Sequence, residues 1–219
     1  MLVLAIDAAT YTGSVALIAD GKVRDETVVA MRGQHEERLM PAVVGLLERQ
    51  AVTVGELNAV ACGAGPGNFT PLRIAASIAK GLAFARSIPL LAAPSTLLIL
   101  AGAEPFPAPG KYVTAIDAMR GDWFCHEAAS DSSGRIEPGR AWRATRAELE
   151  SHARSSGARI MGPAEPEPVP VLARGFARLL ALGLAPAVDV ASWEPDYGRK
   201  AEAQVRWEAA HGRDLADAR

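Results

Sequence analysis

YVTAIDAMRGDWFCHEAASDSSGRI, residues Tyr112 to Ile136, repeats a pattern that the chain has already used at its start. Ala115-Ile116-Asp117-Ala118 reproduces Ala5-Ile6-Asp7-Ala8 about 110 residues later. Each copy begins with a short apolar run that reads as a buried strand, Leu2 to Ile6 in the first, and ends on the aspartate. A second strand follows in each, Ser14 to Ile18 and Trp123 to Ala128. A turn then leads into a third: Asp20-Gly21-Lys22 before Val23 to Val29, and Ser133-Gly134-Arg135 before Ile136. Four matching residues could be chance. Their shared order, strand, aspartate, strand, turn, strand, makes internal duplication the better reading.

The stretches after each meander are parallel as well. In the first half a helix is expected over Glu36 to Gln50, with Leu39, Val43, Leu46 and Leu47 on one stripe. Pro41 fits only in its first turn or at a kink. A strand (Ala59 to Gly63), a glycine-rich loop, a helix (Leu72 to Arg86), a short strand (Pro89 to Ala92) and a helix from Ser95 to Ala101 follow. In the second half Thr145-Arg146-Ala147-Glu148 is a capping box opening a helix to Ser155. Arg159 to Gly162 reads as its strand and Val169 to Leu182 as its second helix. AEPFPAPG, Ala103 to Gly110, is the linker, and PAEPEPVP, Pro163 to Pro170, stands where the first half has its glycine loop. The reading is therefore an α/β protein of the actin-like, ribonuclease H-like duplicated class, two lobes each with a mixed sheet and flanking helices. Residues 1–104 form the first lobe and 105–219 a smaller second lobe without a phosphate loop. A last helix near 200–211 is expected to fold back on the first lobe, with Val205 and Trp207 as anchors.

Composition narrows the partners. The 219 residues carry a net charge of −2, which demands neither nucleic acid nor an anionic membrane as a direct partner. Cys62 and Cys125 lie in apolar runs without metal-ligand spacing and read as reduced, structural residues of a cytoplasmic protein. No apolar run approaches the ~18 residues of a membrane span.

GAGPGNFTPLRIAAS, Gly63 to Ser77, is the stretch that raises catalysis, because strand, glycine loop and helix is an arrangement that cradles phosphate. It is not a P-loop: no Gly-Lys-Ser/Thr follows, and Lys80 lies far into the helix. The N–H groups of Gly67, Asn68 and Phe69, with the Thr70 hydroxyl as N-cap before Pro71, could hold an anion; a tight strand–helix turn is the plainer alternative. In actin-like ATPases an Asp followed by Gly and Thr closes on phosphate in each half. Here Asp7-Ala8-Ala9-Thr10 has Ala for Gly, and Asp117-Ala118-Met119-Arg120 has neither Gly nor Thr. Asp117, Arg120 and Asp122 read as an ion-paired loop. His35-Glu36-Glu37-Arg38-Leu39 starts like a zinc motif but has Leu at the fifth place, so His35 reads as a helix-start or interface residue. No nucleophile motif supports a peptidase.

IDAAT (Ile6 to Thr10), QHEERLMP (Gln34 to Pro41), GPGNFTPLRIA (Gly65 to Ala75), IDAMRGDWF (Ile116 to Phe124) and the late Pro195, Tyr197 and Arg199 together resemble the bacterial TsaB, or YeaZ-type, family of tRNA threonylcarbamoyladenosine (t6A) biosynthesis. The resemblance implies a non-catalytic scaffolding subunit that supports the catalytic homologue TsaD, with the P-loop ATPase TsaE joining and tRNA met only through the complex. It implies that the two helices of the first lobe, here Gln34 to Gln50 and Leu72 to Arg86, face TsaD or a second copy of the chain in a homodimer. His35, Leu39, Met40, Val43, Arg73, Ile74, Ala76, Ile78 and Lys80 are the residues so implied. No tightly bound cofactor and no metal are expected; ATP or ADP contact belongs at the junction with the partner, through Asp7, Thr10, Gly65, Gly67, Asn68 and Thr70. Asn68 and Pro71 replace the family's usual Ser and Gly, and Pro71 removes an N–H that an anion could have used. A small kinase or ATPase of the same fold, active alone, is the alternative; a homodimeric binding module unrelated to tRNA is another.

Overall fold

Two sheets with the same internal order make up the computed structural model, which describes residues 1–31, 37–198, 207 and 210–212. In the first sheet, β1 (Leu2–Asp7), β2 (Thr12–Ala19) and β3 (Lys22–Ala30) form an antiparallel meander. β4 (Ala59–Gly63) then pairs parallel to β1, and β5 (Leu90–Ala93) parallel to β4. In the second sheet β6 (Gly110–Met119), β7 (Asp122–Ser130) and β8 (Ile136–Thr145) repeat the meander, and β9 (Arg159–Met161) pairs parallel to β6. The order β3-β2-β1-β4 therefore recurs as β8-β7-β6-β9, and the duplication read from the two aspartates is a duplication of topology. The strands form where expected, within one to three residues at most ends. At the first turn Asp20 and Gly21 take φ of 49° and 77°, the left-handed pair that a two-residue hairpin requires.

Helix α1 (Leu39–Arg49) and helix α2 (Phe69–Arg86) cover the outer face of the first sheet. Pro41 is the third residue of α1, inside the first turn, where its missing N–H leaves no intrahelical bond unmade. The Glu37 carboxylate accepts from the Leu39 and Met40 N–H groups, an anion at a helix N-terminus where the dipole favours it. Residues 34–36 of the expected helix, His35 among them, lie outside the described residues. Helix α3 (Ser95–Ala101) is buried along its whole length between the sheets.

The second half differs from expectation after β9. Residues 169–172 are not helical; the chain makes a 3-10 turn at Ala173–Gly175 and a short helix α5 (Phe176–Ala181). Pro168 and Pro170 hold their predecessors extended, so the apolar spacing of Val169, Val171 and Leu172 belongs to an extended segment. α5 packs beside α3 between the sheets. Among the described residues the second half therefore shows no counterpart of α2 with its loop, and α4 (Arg146–Ser156), opened by the capping box at Thr145 and Glu148, covers the outer face of its sheet. Gly102 and Gly175 let the two inner helices close: a Cβ on Gly175 would stand 3.0 Å from both the Gly102 nitrogen and the Leu98 carbonyl oxygen. His126, on β7, shares a hydrogen bond of 2.9 Å with Thr96 of α3 in this buried seam.

The chain then returns to the first sheet. A two-residue strand, β10 (Ala187–Val188), pairs antiparallel to β5, so the second half hands its end back to the first. The expected returning helix near 200–211, with Val205, lies outside the described residues apart from 207, 210 and 211.

Candidate functional site

β1 ends on Asp7, β4 on Gly63 and β5 on Ala93, all at one edge of the first sheet. The parallel pairing of these strands places the loops that follow them side by side, the usual location of a site in an α/β sheet. Asp7 is fully buried. One of its oxygens accepts from the Ala9 N–H at 2.9 Å, and the other accepts from the Ser95 hydroxyl at 2.5 Å. Ser95 in turn accepts from the Gly65 N–H at 3.0 Å. Burial pushes the Asp7 carboxyl up to about 6, against the lowering effect of the Ser95 and Ala9 bonds. Gly63 is glycine because a Cβ there would coincide with Asp7 Oδ2, at 1.8 Å.

The glycine loop lies directly on this turn. A Cβ on Gly67 would meet the Ala9 carbonyl oxygen at 2.2 Å, and that same oxygen accepts from the Asn68 N–H at 2.8 Å. Gly65 has φ of 78°, and a Cβ there would meet the Asp196 carbonyl oxygen at 2.1 Å. The Ala64 carbonyl accepts from Asp196 N–H at 2.8 Å. The N-cap of α2 is Asn68, in extended conformation, and Thr70 and Pro71 are the second and third helical residues. This corrects the expected cap at Thr70 and the placing of Pro71 at the first position. Pro71 is tolerated because the first four N–H groups of a helix have no partner in it. Two of the donors that an anion would need, Gly65 N–H and Asn68 N–H, are thus already bonded within the chain. Thr10 bonds locally, accepting from the Thr12 N–H at 3.1 Å.

The second aspartate is placed differently. Asp117 is exposed and accepts from the Met119 N–H at 2.7 Å, in a turn where Met119 and Arg120 take φ of 66° and 61°. Asp122 pairs with Arg143 at 3.4 Å rather than within its own loop. Asp7, Gly65, Gly67 and Asn68 are therefore brought together, while Asp117 stands apart from them in its own exposed turn. Among the described residues no group of three His, Cys, Asp or Glu comes together as for a metal ion.

The helical face is sorted by burial. Leu39 and Val43 are fully buried against the first sheet, since the stripe that makes α1 amphipathic is the stripe that binds the sheet, and Ala76 of α2 is buried too. Met40 and Arg73 are exposed, Ile74 and Ile78 half-buried. Beside them stand Val44 and Phe84, the latter 79% exposed on α2. Lys80 donates to the Trp193 carbonyl oxygen at 2.7 Å, and Tyr197 packs on Phe69 with ring centroids 4.6 Å apart while Arg73 lies 5.1 Å over the same ring. Residues 193–197 thus strap the start and middle of α2. Arg199 lies outside the described residues. Sequence reading missed Ser95, which looked like an ordinary helix start, and Phe84, whose position on the outward face follows from the helical period once α2 is aligned.

The family described as TsaD, tRNA N6-adenosine threonylcarbamoyltransferase, matches residues 29–132. The tRNA threonylcarbamoyladenosine biosynthesis protein TsaB of Escherichia coli is 35% identical over 134 residues, 61% of this chain and 58% of that protein. The protein of the same name from Bacillus subtilis is 34% identical over 124 residues, 57% and 53% of the two chains. The chain therefore spans little more than half the length of the curated relatives it matches. Among solved structures, an uncharacterized Pseudomonas aeruginosa protein with similarity to peptidase YEAZ matches with a TM-score of 0.75 at 26% identity, over 90% of this chain and 99% of that one. YeaZ from the same organism matches with a TM-score of 0.71 at 25% identity and the same coverage.

Proposed function

We propose that this chain, which shares its fold with the solved YeaZ structures and part of its sequence with the TsaB proteins, is a TsaB/YeaZ-type protein and serves t6A biosynthesis as a non-catalytic scaffolding subunit that docks TsaD. The observation that carries the reading is the packing of the glycine loop onto the Asp7–Ala9 turn, with Asn68 N–H on the Ala9 carbonyl and Asp7 buried beneath. A loop bonded into the fold in this way acts as a rigid support for α2 rather than as a grip on nucleotide. ATP or ADP, if it meets this chain, does so at the junction with the partner; TsaE and tRNA meet it through the assembly. The protein works in the cytoplasm, and no helix among the described residues is long and apolar enough to cross a membrane.

The docking face is the outward side of α1 and α2: Met40, Val44, Arg73, Ile74, Ile78 and Phe84. An apolar patch of this kind on two neighbouring helices also suits a second copy of the chain, so homodimer and heterodimer compete for one surface. Lys80 contributes by fixing the strap at Trp193. The test is a reconstitution: t6A formation by the organism's TsaD, TsaE and threonylcarbamoyl-adenylate source with and without this chain. Loss of t6A without it, together with no ATP hydrolysis by the chain alone, is expected. ATP turnover by the isolated chain that Asp7→Ala abolishes would favour the small-ATPase alternative.

A further inference from the structure

The turn after β2 and the turn after β7 lie at the ends of their sheets away from the glycine loop, since β1 pairs Leu2 with Ala19 at one end and Asp7 with Ser14 at the other. Between these turns, the linker and α5 is an open cavity of about 630 Å³, lined among others by Val23, Phe106, Arg135, Arg174, Ala177 and Arg178. Its three guanidiniums are not equivalent. Arg174 is fully engaged: it donates to the Gly102 carbonyl at 3.0 Å and pairs with Glu26 at 3.0 Å and Glu104 at 2.9 Å. Glu104, the carboxylate of the lining, is thereby bound as well.

Arg178 has no carboxylate partner among the described residues. Its guanidinium carbon stands 3.8 Å from the centre of the Phe106 ring, and it donates to the Gly134 carbonyl at 3.2 Å. Its Nε is buried with no hydrogen-bond partner, a donor left unsatisfied in the wall of the cavity. The turn is built around it: Gly134 has φ of 80°, and a Cβ there would come within 2.6 Å of Arg178 Nη1. Arg135, next in the chain, has Glu137 at 3.9 Å, with both side chains mostly exposed, a pair worth little.

Arg178, without a carboxylate partner among the described residues and seated over an aromatic ring, and Arg135, whose pair with Glu137 is long and exposed, offer the forked donors and the charge that match a phosphate dianion. The cavity is larger than a phosphate group, and Val23, Phe106, Ala177, Ala181 and Leu182 give the rest of its lining an apolar character. We propose that this cavity binds a phosphate monoester, its phosphate held by Arg178 and Arg135 and its organic part against Phe106 and Ala177. The site is independent of the docking face and of the glycine loop.

The experiment is calorimetric titration of the full chain with phenyl phosphate, inorganic phosphate and benzoate at constant chloride. Phenyl phosphate is expected to bind saturably with one site, inorganic phosphate several-fold more weakly and benzoate more weakly still. Arg178→Ala and Arg135→Ala should each weaken phenyl phosphate at least tenfold; Arg135 is exposed, so its variant keeps the fold, as a melting curve would verify. No saturable binding, or binding untouched by both substitutions, would overturn the site. Benzoate binding as tightly as phenyl phosphate would overturn the phosphate assignment, and inorganic phosphate as tight as phenyl phosphate would overturn the apolar subsite.

Discussion

At the residue scale the buried Asp7 ties β1, α3 and the glycine loop together through Ser95. Because burial raises its carboxyl to about 6 from 3.8, the folded state holds its proton more tightly than the unfolded chain does. That contribution to stability is complete below about 4 and is lost as pH rises through about 6. Near pH 8 the buried carboxylate therefore costs about 3 kcal/mol relative to an acid-protonated site. Asp7→Asn is expected to flatten this part of the profile, raising the urea midpoint at pH 8 more than at pH 4; a parallel shift at both would contradict the assignment. His126 has the opposite sign. Burial holds it below the usual histidine range, so its contribution is present above the unfolded value near 6.5 and declines as pH falls through it. His126→Gln should remove that acid-side loss, measured by the same urea titrations at pH 5 and pH 7. Gly67 is the third such residue: Gly67→Ala drives a methyl into the Ala9 backbone, and a loss of about 3 kcal/mol is expected, readable as a fall in the thermal midpoint.

At the scale of elements, strands and their turns were legible because short continuous apolar runs, such as the one that buries β2 from Gly13 to Ile18, and the Asp20-Gly21 turn are local signals. The start of α2 was not, because Phe69-Thr70-Pro71 reads as punctuation, and only the absence of intrahelical partners in the first turn lets the helix include it. The stretch before α5 failed in the other direction: its apolar spacing suits a helix, but Pro168 and Pro170 keep it extended. β10 is two residues long and has no period to read. The same distinction between local pattern and tertiary face sorts the interface. Leu39 and Ile74 were equal candidates in the sequence, yet Leu39 lies in the core and Ile74 on the rim of it. Leu39→Asp is expected to abolish cooperative unfolding, as burying an unpaired charge in the core does. Phe84→Asp, at a position 79% exposed, is expected to leave the melting temperature within a degree or two while weakening assembly; a large fall in melting temperature would place Phe84 in the fold's own packing.

At the scale of the whole molecule the duplication sets both the architecture and what is absent from it. The two meanders repeat strand for strand, as the matching tetrapeptides together with the shared order of strand, aspartate, strand, turn and strand indicated. Among the described residues the second half shows no counterpart of α2, whereas the outer face of the first sheet carries both α1 and α2. The C-terminal stretch then returns across β5 and α2, buttressing that face from the side. The proposed docking surface is thus carried by helices anchored on an internally bonded loop, and the proposed phosphate cavity lies at the far end of the first sheet. Size-exclusion chromatography with light scattering probes the proposed docking surface, on the chain alone, on the chain mixed with its organism's TsaD, and on Phe84→Asp in both settings. The account predicts a 1:1 complex that forms at the expense of a homodimer, with Phe84→Asp monomeric and unable to join TsaD. No complex with TsaD in the presence or absence of ATP and TsaE, or a complex indifferent to Phe84→Asp, would contradict it.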